Sequence, residues 1–149
     1  KARDDLESAG KIFNRLRDHL EAHAMAEEKY FYPTLLQLGK GALDSDSADE
    51  TTEDAIDDHN KIANAADAAL NEKVGSDAWW ECVDKANYQN SAHLSEEERQ
   101  GLTDFRRRVP LEKRIALGIK YLAFEADHVT NVEREEKDPD AYIKENEAA

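Results

Sequence analysis

Glycine and proline are scarce in this chain, with six and three residues in 149. Helix breakers are therefore few, and long uninterrupted elements are favoured. Runs of β-branched residues are missing too, which argues against a sheet. A single cysteine, Cys82, excludes an internal disulfide and fits a reducing cytoplasm. No stretch approaches 18 apolar residues, so no membrane span is expected, and no secretory leader is visible. Basic residues are outnumbered 20 to 34, for a net charge of −14. That balance speaks against a nucleic-acid partner and against an anionic membrane surface, since both require a basic face. The start at Lys1, without Met, reads as a processed or trimmed chain.

What remains is rich in Ala, Glu, Lys, Leu and Asp, a composition of good helix formers. Apolar residues recur at steps of three and four, the period of an amphipathic helix. The first helix is expected from about Asp4 to Leu38, with the stripe Leu6, Ala9, Phe13, Leu16, Leu20, His23, Glu27 and Tyr30. The acidic run 44–54 is expected as a loop, with Thr51 or Thr52 capping a second helix that ends near Glu72. Its stripe is Ile56, His59, Ala63, Ala66 and Leu70. A third helix from Asp77 to Arg107 carries Trp79, Val83, Ala86, Asn90, His93 and Glu97. The fourth runs from about Leu111 to Glu135, with Ile115, Ile119, Leu122 and Val129 on one face and Leu117, Tyr121 and Phe124 on another. The fold class is thus all-α, an antiparallel four-helix bundle over 1–137 with a loose tail over 138–149.

Polar residues interrupt the stripes at matching heights. "HAMAEE" (His23 to Glu28) and "HLSEEE" (His93 to Glu98) share the pattern H-x-x-x-E-E. Spacing is weak evidence here, because about one position in four is acidic. Orientation is better evidence. One residue turns a helix by roughly 100°, so Glu27 and Glu97 lie on the apolar stripes and Glu28 and Glu98 do not. His59 lies on the stripe of the second helix. In an up-and-down bundle these five residues meet at one level. Imidazoles and carboxylates gathered in a bundle core are how carboxylate-bridged di-iron sites are built. A carboxylate has two oxygens and can bridge two cations, and bound metal makes buried glutamates tolerable.

"HAMAEEKYFYP", "DAIDDHNKI" (Asp54 to Ile62) and "HLSEEE" together resemble the hemerythrin-like, HHE cation-binding domains, over about Ile12 to Tyr142. The resemblance implies a hemerythrin-like bundle holding two iron ions in a non-heme di-iron centre, which an oxo group can bridge. It transfers metal-ligand roles to His23, Glu27, His59, His93 and Glu97. It further implies binding or sensing of oxygen, nitric oxide or iron, or redox turnover of peroxide or nitric oxide. The partner expected is a small diatomic ligand or peroxide. The family's opening helix brings one more histidine, and nothing before His19 matches it. His128 is the candidate stand-in, although it shares a face with Leu117, Tyr121 and Phe124. His19 is expected at the surface or behind the ligands, and Tyr30 in the core with its hydroxyl within reach of the site. Trp79 and Trp80 read as packing anchors.

Overall fold

Residues 6–38 form one rod in three parts in the computed structural model, which describes residues 5–43, 46–128 and 136–147. Helix α1 (Leu6–Ala26) starts at Asp5, whose side chain accepts the Ser8 N–H. The backbone then widens into a π turn over Glu27–Phe31 before α2 (Tyr32–Leu38). Pro33 accounts for the widening. It has no N–H for an i−4 bond, and its ring crowds the carbonyl four residues back. The wider turn, in which the Tyr32 N–H reaches back five residues to Glu27 O, absorbs that conflict. The single helix expected here is therefore interrupted, and the interruption falls on the residues of interest. The rod ends at Gly39. A Cβ there would lie 2.5 Å from Leu35 O and 2.6 Å from Asp104 Oδ2, so only glycine fits.

Helix α3 (Ala48–Leu70) begins earlier than the threonines indicated. Ser47 is the cap, in a reciprocal capping box with Glu50. Thr52 is instead buried, donating its hydroxyl to Ala48 O. The long third helix divides at Gln100 into α4 (Asp77–Arg99), capped by Ser76, and α5 (Gly101–Arg108). Helix α6 spans Leu111–His128, and the expected continuation through Val129 to Glu135 lies outside the described residues. The tail expected after 138 contains a further helix, α7 (Pro139–Glu147). It packs on α2 and α3 and buries Tyr142. Among the described residues there is no strand.

Arg17 of α1 pairs with Asp67, and Glu27 of the π turn that follows meets His59, so the rod and α3 run antiparallel. Thr51 with Gln100 and His59 with His93 show the same for α3 and α4. Helix α6 lies along α1 and the π turn. Two apolar clusters form. One gathers Ala9, Phe13, Ala65, Ala66, Ala69, Trp79 and Ala86, with Phe13 edge-on to Trp79 at 5.4 Å between ring centres. The other gathers Phe31, Tyr32, Leu35, Ile56, Phe105, Val109 and Tyr142. Between them sits a polar layer. Several stripe residues fall outside both clusters: Leu6, Leu16 and Leu70 are exposed. On α6, Phe124 is buried and Leu117 and Tyr121 half-buried, while the Ile115, Ile119 and Leu122 face is open. No helix among the described residues is long and apolar enough to cross a membrane.

Asp104, on α5, fixes the end of the rod. Its Oδ2 accepts the N–H groups of Lys40 and Gly41 at 2.7 and 2.9 Å, and it is almost fully buried. Asp104→Ala removes a charged acceptor from two donors. The expected cost is about 2–3 kcal/mol, read as a lower urea midpoint with an unchanged slope.

Candidate metal centre

Glu27 is the first residue of the π turn and is buried between the two apolar clusters. Its two oxygens face different partners. Oε1 lies 3.1 Å from His23 Nε2, one turn earlier on α1. Oε2 lies 3.2 Å from His59 Nε2 on α3 and 3.9 Å from His93 Nε2 on α4. Despite that proximity, Oε2 makes no hydrogen bond. The two imidazole Nε2 atoms are themselves only 3.3 Å apart. One ligand atom from each of Glu27, His59 and His93 lies within 4.8 Å of the others. Their separations of 3.2, 3.3 and 3.9 Å suit donors around a single ion with bonds near 2.0–2.2 Å. Glu97, on α4, is buried beside Glu27, and its Oε1 accepts a 3.4 Å hydrogen bond from the Tyr32 hydroxyl.

Each of two histidines is gripped on its far nitrogen by a second carboxylate. His59 Nδ1 is 2.9 Å from Glu28 Oε1, and His23 Nδ1 is 2.9 Å from Glu125 Oε1 on α6. A proton kept on Nδ1 leaves Nε2 as the atom that would turn to a cation once its own proton is displaced, the usual arrangement behind a metal-bound imidazole. Glu28 is in turn neutralised by Lys137 at 2.5 Å. Its backbone carbonyl accepts the Tyr142 hydroxyl, which ties α7 to the π turn. The Tyr121 hydroxyl is 2.6 Å from His23 Nδ1, sharing that atom with Glu125.

The electrostatics follow from crowding charge in a dry place. Burial opposes ionisation of Glu27, yet the surrounding His23, His59 and His93 hold its carboxyl well below the usual range. Contact with Glu27, and then Glu125, raises His23 to about 9. Burial alone would lower His59, but Glu27 and Glu28 on either side raise it to about 9. Burial and the neighbouring Glu27 charge push Glu97 up to about 8. Burial also raises the phenols of Tyr32 and Tyr121, reinforced by the adjacent glutamates.

This donor set fits a metal cation. It comprises neutral imidazoles and carboxylates, the mixture suited to iron and its neighbours, and the unbonded Glu27 Oε2 points among them. The five sequence candidates are thus arranged unequally: Glu27, His59 and His93 form a tight trio, His23 joins through Glu27 Oε1, and Glu97 stands alongside. His128 is not among them. Its ring stacks on Phe124, and its Nδ1 bonds the Phe124 carbonyl at 2.9 Å. His19 is exposed. Tyr30 packs edge-on to Phe124, and it is Tyr32 whose hydroxyl reaches the site. Glu28, off the apolar stripe, is nonetheless enclosed, and its side chain holds His59. Glu28, Tyr32, Tyr121, Glu125 and Lys137 were not identified as site residues from the sequence. The Pro33 that widens the turn was the available signal for the first two.

A family model described as the Hemerythrin HHE cation binding domain matches residues 1–105 of this chain. No curated protein and no solved structure gives a significant match.

Without metal, His23 and His59 keep their protons to about pH 9 in the fold, against 6.5 when exposed. Their stabilisation is complete below about 6.5 and is lost as pH rises through 9. Glu97, protonated to about pH 8 against a usual 4.5, acts in the same direction. The chelator-treated protein should therefore melt several degrees lower at pH 9 than at pH 6.5. Metal affinity should rise across the same window, because binding requires those protons to leave. A flat melting profile for the metal-free protein contradicts the assignment of these shifts.

Proposed function

Because this chain belongs to the hemerythrin HHE cation-binding family, we propose that it holds a non-heme di-iron centre on His23, Glu27, His59, His93 and Glu97, and uses it to bind or sense oxygen, nitric oxide or iron. The observation that carries this reading is the convergence of three imidazole Nε2 atoms on one buried carboxylate.

Glu27 divides the site. One oxygen faces His23 and the other faces His59 and His93, so this residue would hold cations on both sides when they are bound. Glu97 offers a second carboxylate, and Tyr32 holds its Oε1. Glu28 and Glu125 orient His59 and His23 from behind. Iron held by these five donors would supply a redox-active cation able to take a further small ligand. A second reading, a redox enzyme acting on peroxide or nitric oxide, draws on the two phenols. Tyr32 and Tyr121 both keep their protons at neutral pH; the Tyr32 hydroxyl donates to Glu97, and the Tyr121 hydroxyl lies against His23 Nδ1.

Anaerobic loading with ferrous iron should give about two ions per chain, and Glu27→Ala should remove most of them. Exposure to oxygen then separates the readings. A reversible visible absorption band favours binding, and bleaching with steady consumption of peroxide favours an enzyme. Wild-type protein that takes up no iron, or Glu27→Ala with unchanged iron content, ends the proposal.

Glu28→Gln should weaken iron affinity by about 10–100-fold, the usual cost of removing a carboxylate behind a ligating histidine. The exposed Glu53→Gln is the control and should leave affinity unchanged. Equal affinities in a competition titration against a chelator would show that Glu28 does not orient His59.

A further inference from the structure

Helix α6 is held along one side. It lies on α1 and the π turn, and a cleft of about 340 Å³ lies between it and the α4–α5 junction. Tyr121 and Phe124 face the bundle, edge-on to His23 and Tyr30. The other side carries Leu111, Ile115, Ile119 and Leu122, which are 60, 55, 65 and 66% exposed. Ala126, also exposed, continues their line. Steps of four, four, three and four place these residues in one stripe down the helix. Soluble chains rarely leave so continuous an apolar patch in water unless something docks on it.

Gly118, beside this stripe at the middle of α6, gives independent support. Glycine is unfavourable inside a helix. Among the described residues, positive φ values at glycine occur only at Gly41 and Gly75, so no left-handed backbone requires it. A Cβ built on it meets nothing within 4 Å, so no contact within this chain requires it either. What the missing side chain provides is room for another helix to come close, since the distance between packed helices is set by the side chains at their contact.

Charge selects the occupant. Over residues 106–120 five exposed cations stand with one exposed anion, Glu112. Over 121–128 there is no Lys or Arg, and Glu125 and Asp127 are acidic. This face is thus basic toward the start of α6 and acidic toward its end, in the same sense as the helix dipole. A reversed copy of the same face complements it, and a parallel copy would set like charges together. We propose that α6 is the interface of a homodimer, in which two copies of the stripe pack antiparallel about a twofold axis between Gly118 and Ile119. Ile115 then meets Leu122 of the other copy, Leu111 meets Ala126, and each Ile119 enters the gap at the other Gly118. Burying the four large side chains on both copies removes on the order of 1,000 Å² from water, about the least that a specific interface needs. The pairing is therefore reversible. It is independent of the metal reading, because the stripe lies on the side of α6 away from the polar layer.

The test is sedimentation velocity of the purified full chain over a concentration series, at matched metal content. Wild type should pass from monomer to dimer. Ile119→Glu should weaken the dimer at least tenfold, with iron content unchanged and, in dilute protein, an unchanged melting temperature. Ile12→Glu, on α1 and equally exposed at 63%, adds the same charge elsewhere and should leave the dimer intact. In a Cys82→Ser background, oxidation should link Ile115→Cys chains to Leu122→Cys chains in a mixture, and should not link Ile115→Cys chains to one another. Wild type that stays monomeric throughout leaves the stripe to a different protein and overturns the proposal. A dimer indifferent to Ile119→Glu, or one broken equally by Ile12→Glu, also overturns it. Self-linking of Ile115→Cys chains would show a parallel pair and overturn the antiparallel assignment.

Discussion

The burial of Glu27 is the constraint around which this structure is arranged. A carboxylate removed from water costs several kcal/mol unless other charges and dipoles replace the lost hydration. Here three imidazoles surround it, from α1, α3 and α4. The replacement is incomplete in a telling way. His59 and His93 bring their Nε2 atoms within 3.3 Å of each other, so they cannot both present a proton to the other. Glu27 Oε2 remains without a hydrogen bond. The unbonded Glu27 Oε2 and the crowded Nε2 atoms are thus groups that protons alone satisfy poorly and that a cation would suit. The apolar core yields to this layer by dividing into a Phe13–Trp79 cluster on one side and a Phe31–Phe105 cluster on the other.

The demand for orientation then spreads outward through charged pairs. His59 needs Glu28, and Glu28 needs Lys137. The carbonyl of Glu28 receives Tyr142, so α7 is fastened to the same turn that carries the central glutamate. On the opposite side His23 draws Glu125 and Tyr121 from α6. The two helices that follow the matched family region each reach the polar layer from outside. Neither contributes a member of the central trio. Their role in the geometry is to hold the rings and the turn that face it.

Much of this was legible from a 3.6-residue period. The stripe through His23, Glu27, His59, His93 and Glu97 follows from counting; Glu27, His59, His93 and Glu97 are buried, and His23 stands half-exposed beside them. The antiparallel heights follow from chain lengths alone. Counting failed where the backbone leaves that period. On an α-helix Tyr32, five positions after Glu27, sits well around the cylinder from it; across the π turn it swings to Glu97. The other failures are tertiary. Which of the two apolar faces of α6 turns inward depends on Tyr121 meeting His23, and no local pattern encodes that pairing. The helix after "KDPD" was hidden because its stability rests on one buried tyrosine and its contacts with α2 and α3, not on a strong stripe of its own.

The resulting centre is asymmetric. His59 and His93 are enclosed, with side chains 6% and 5% exposed, whereas the His23 side chain is 42% exposed. Glu28 and Lys137 pack the back of the His59 side. The large cleft reaches His23, Glu27 and Glu97, but neither His59 nor His93 lines it. A molecule arriving from solvent through this cleft therefore meets the His23 and Glu97 side first. An ion held by the trio would be set deep and rigid, and one on the His23 side would sit where exchange with outside ligands is easiest. Tyr121, shared between the cleft wall and His23, occupies the boundary between them. The site is thus closed on the His59 and His93 side and open to the cleft on the His23 side, according to which helices cover it and which leave a gap.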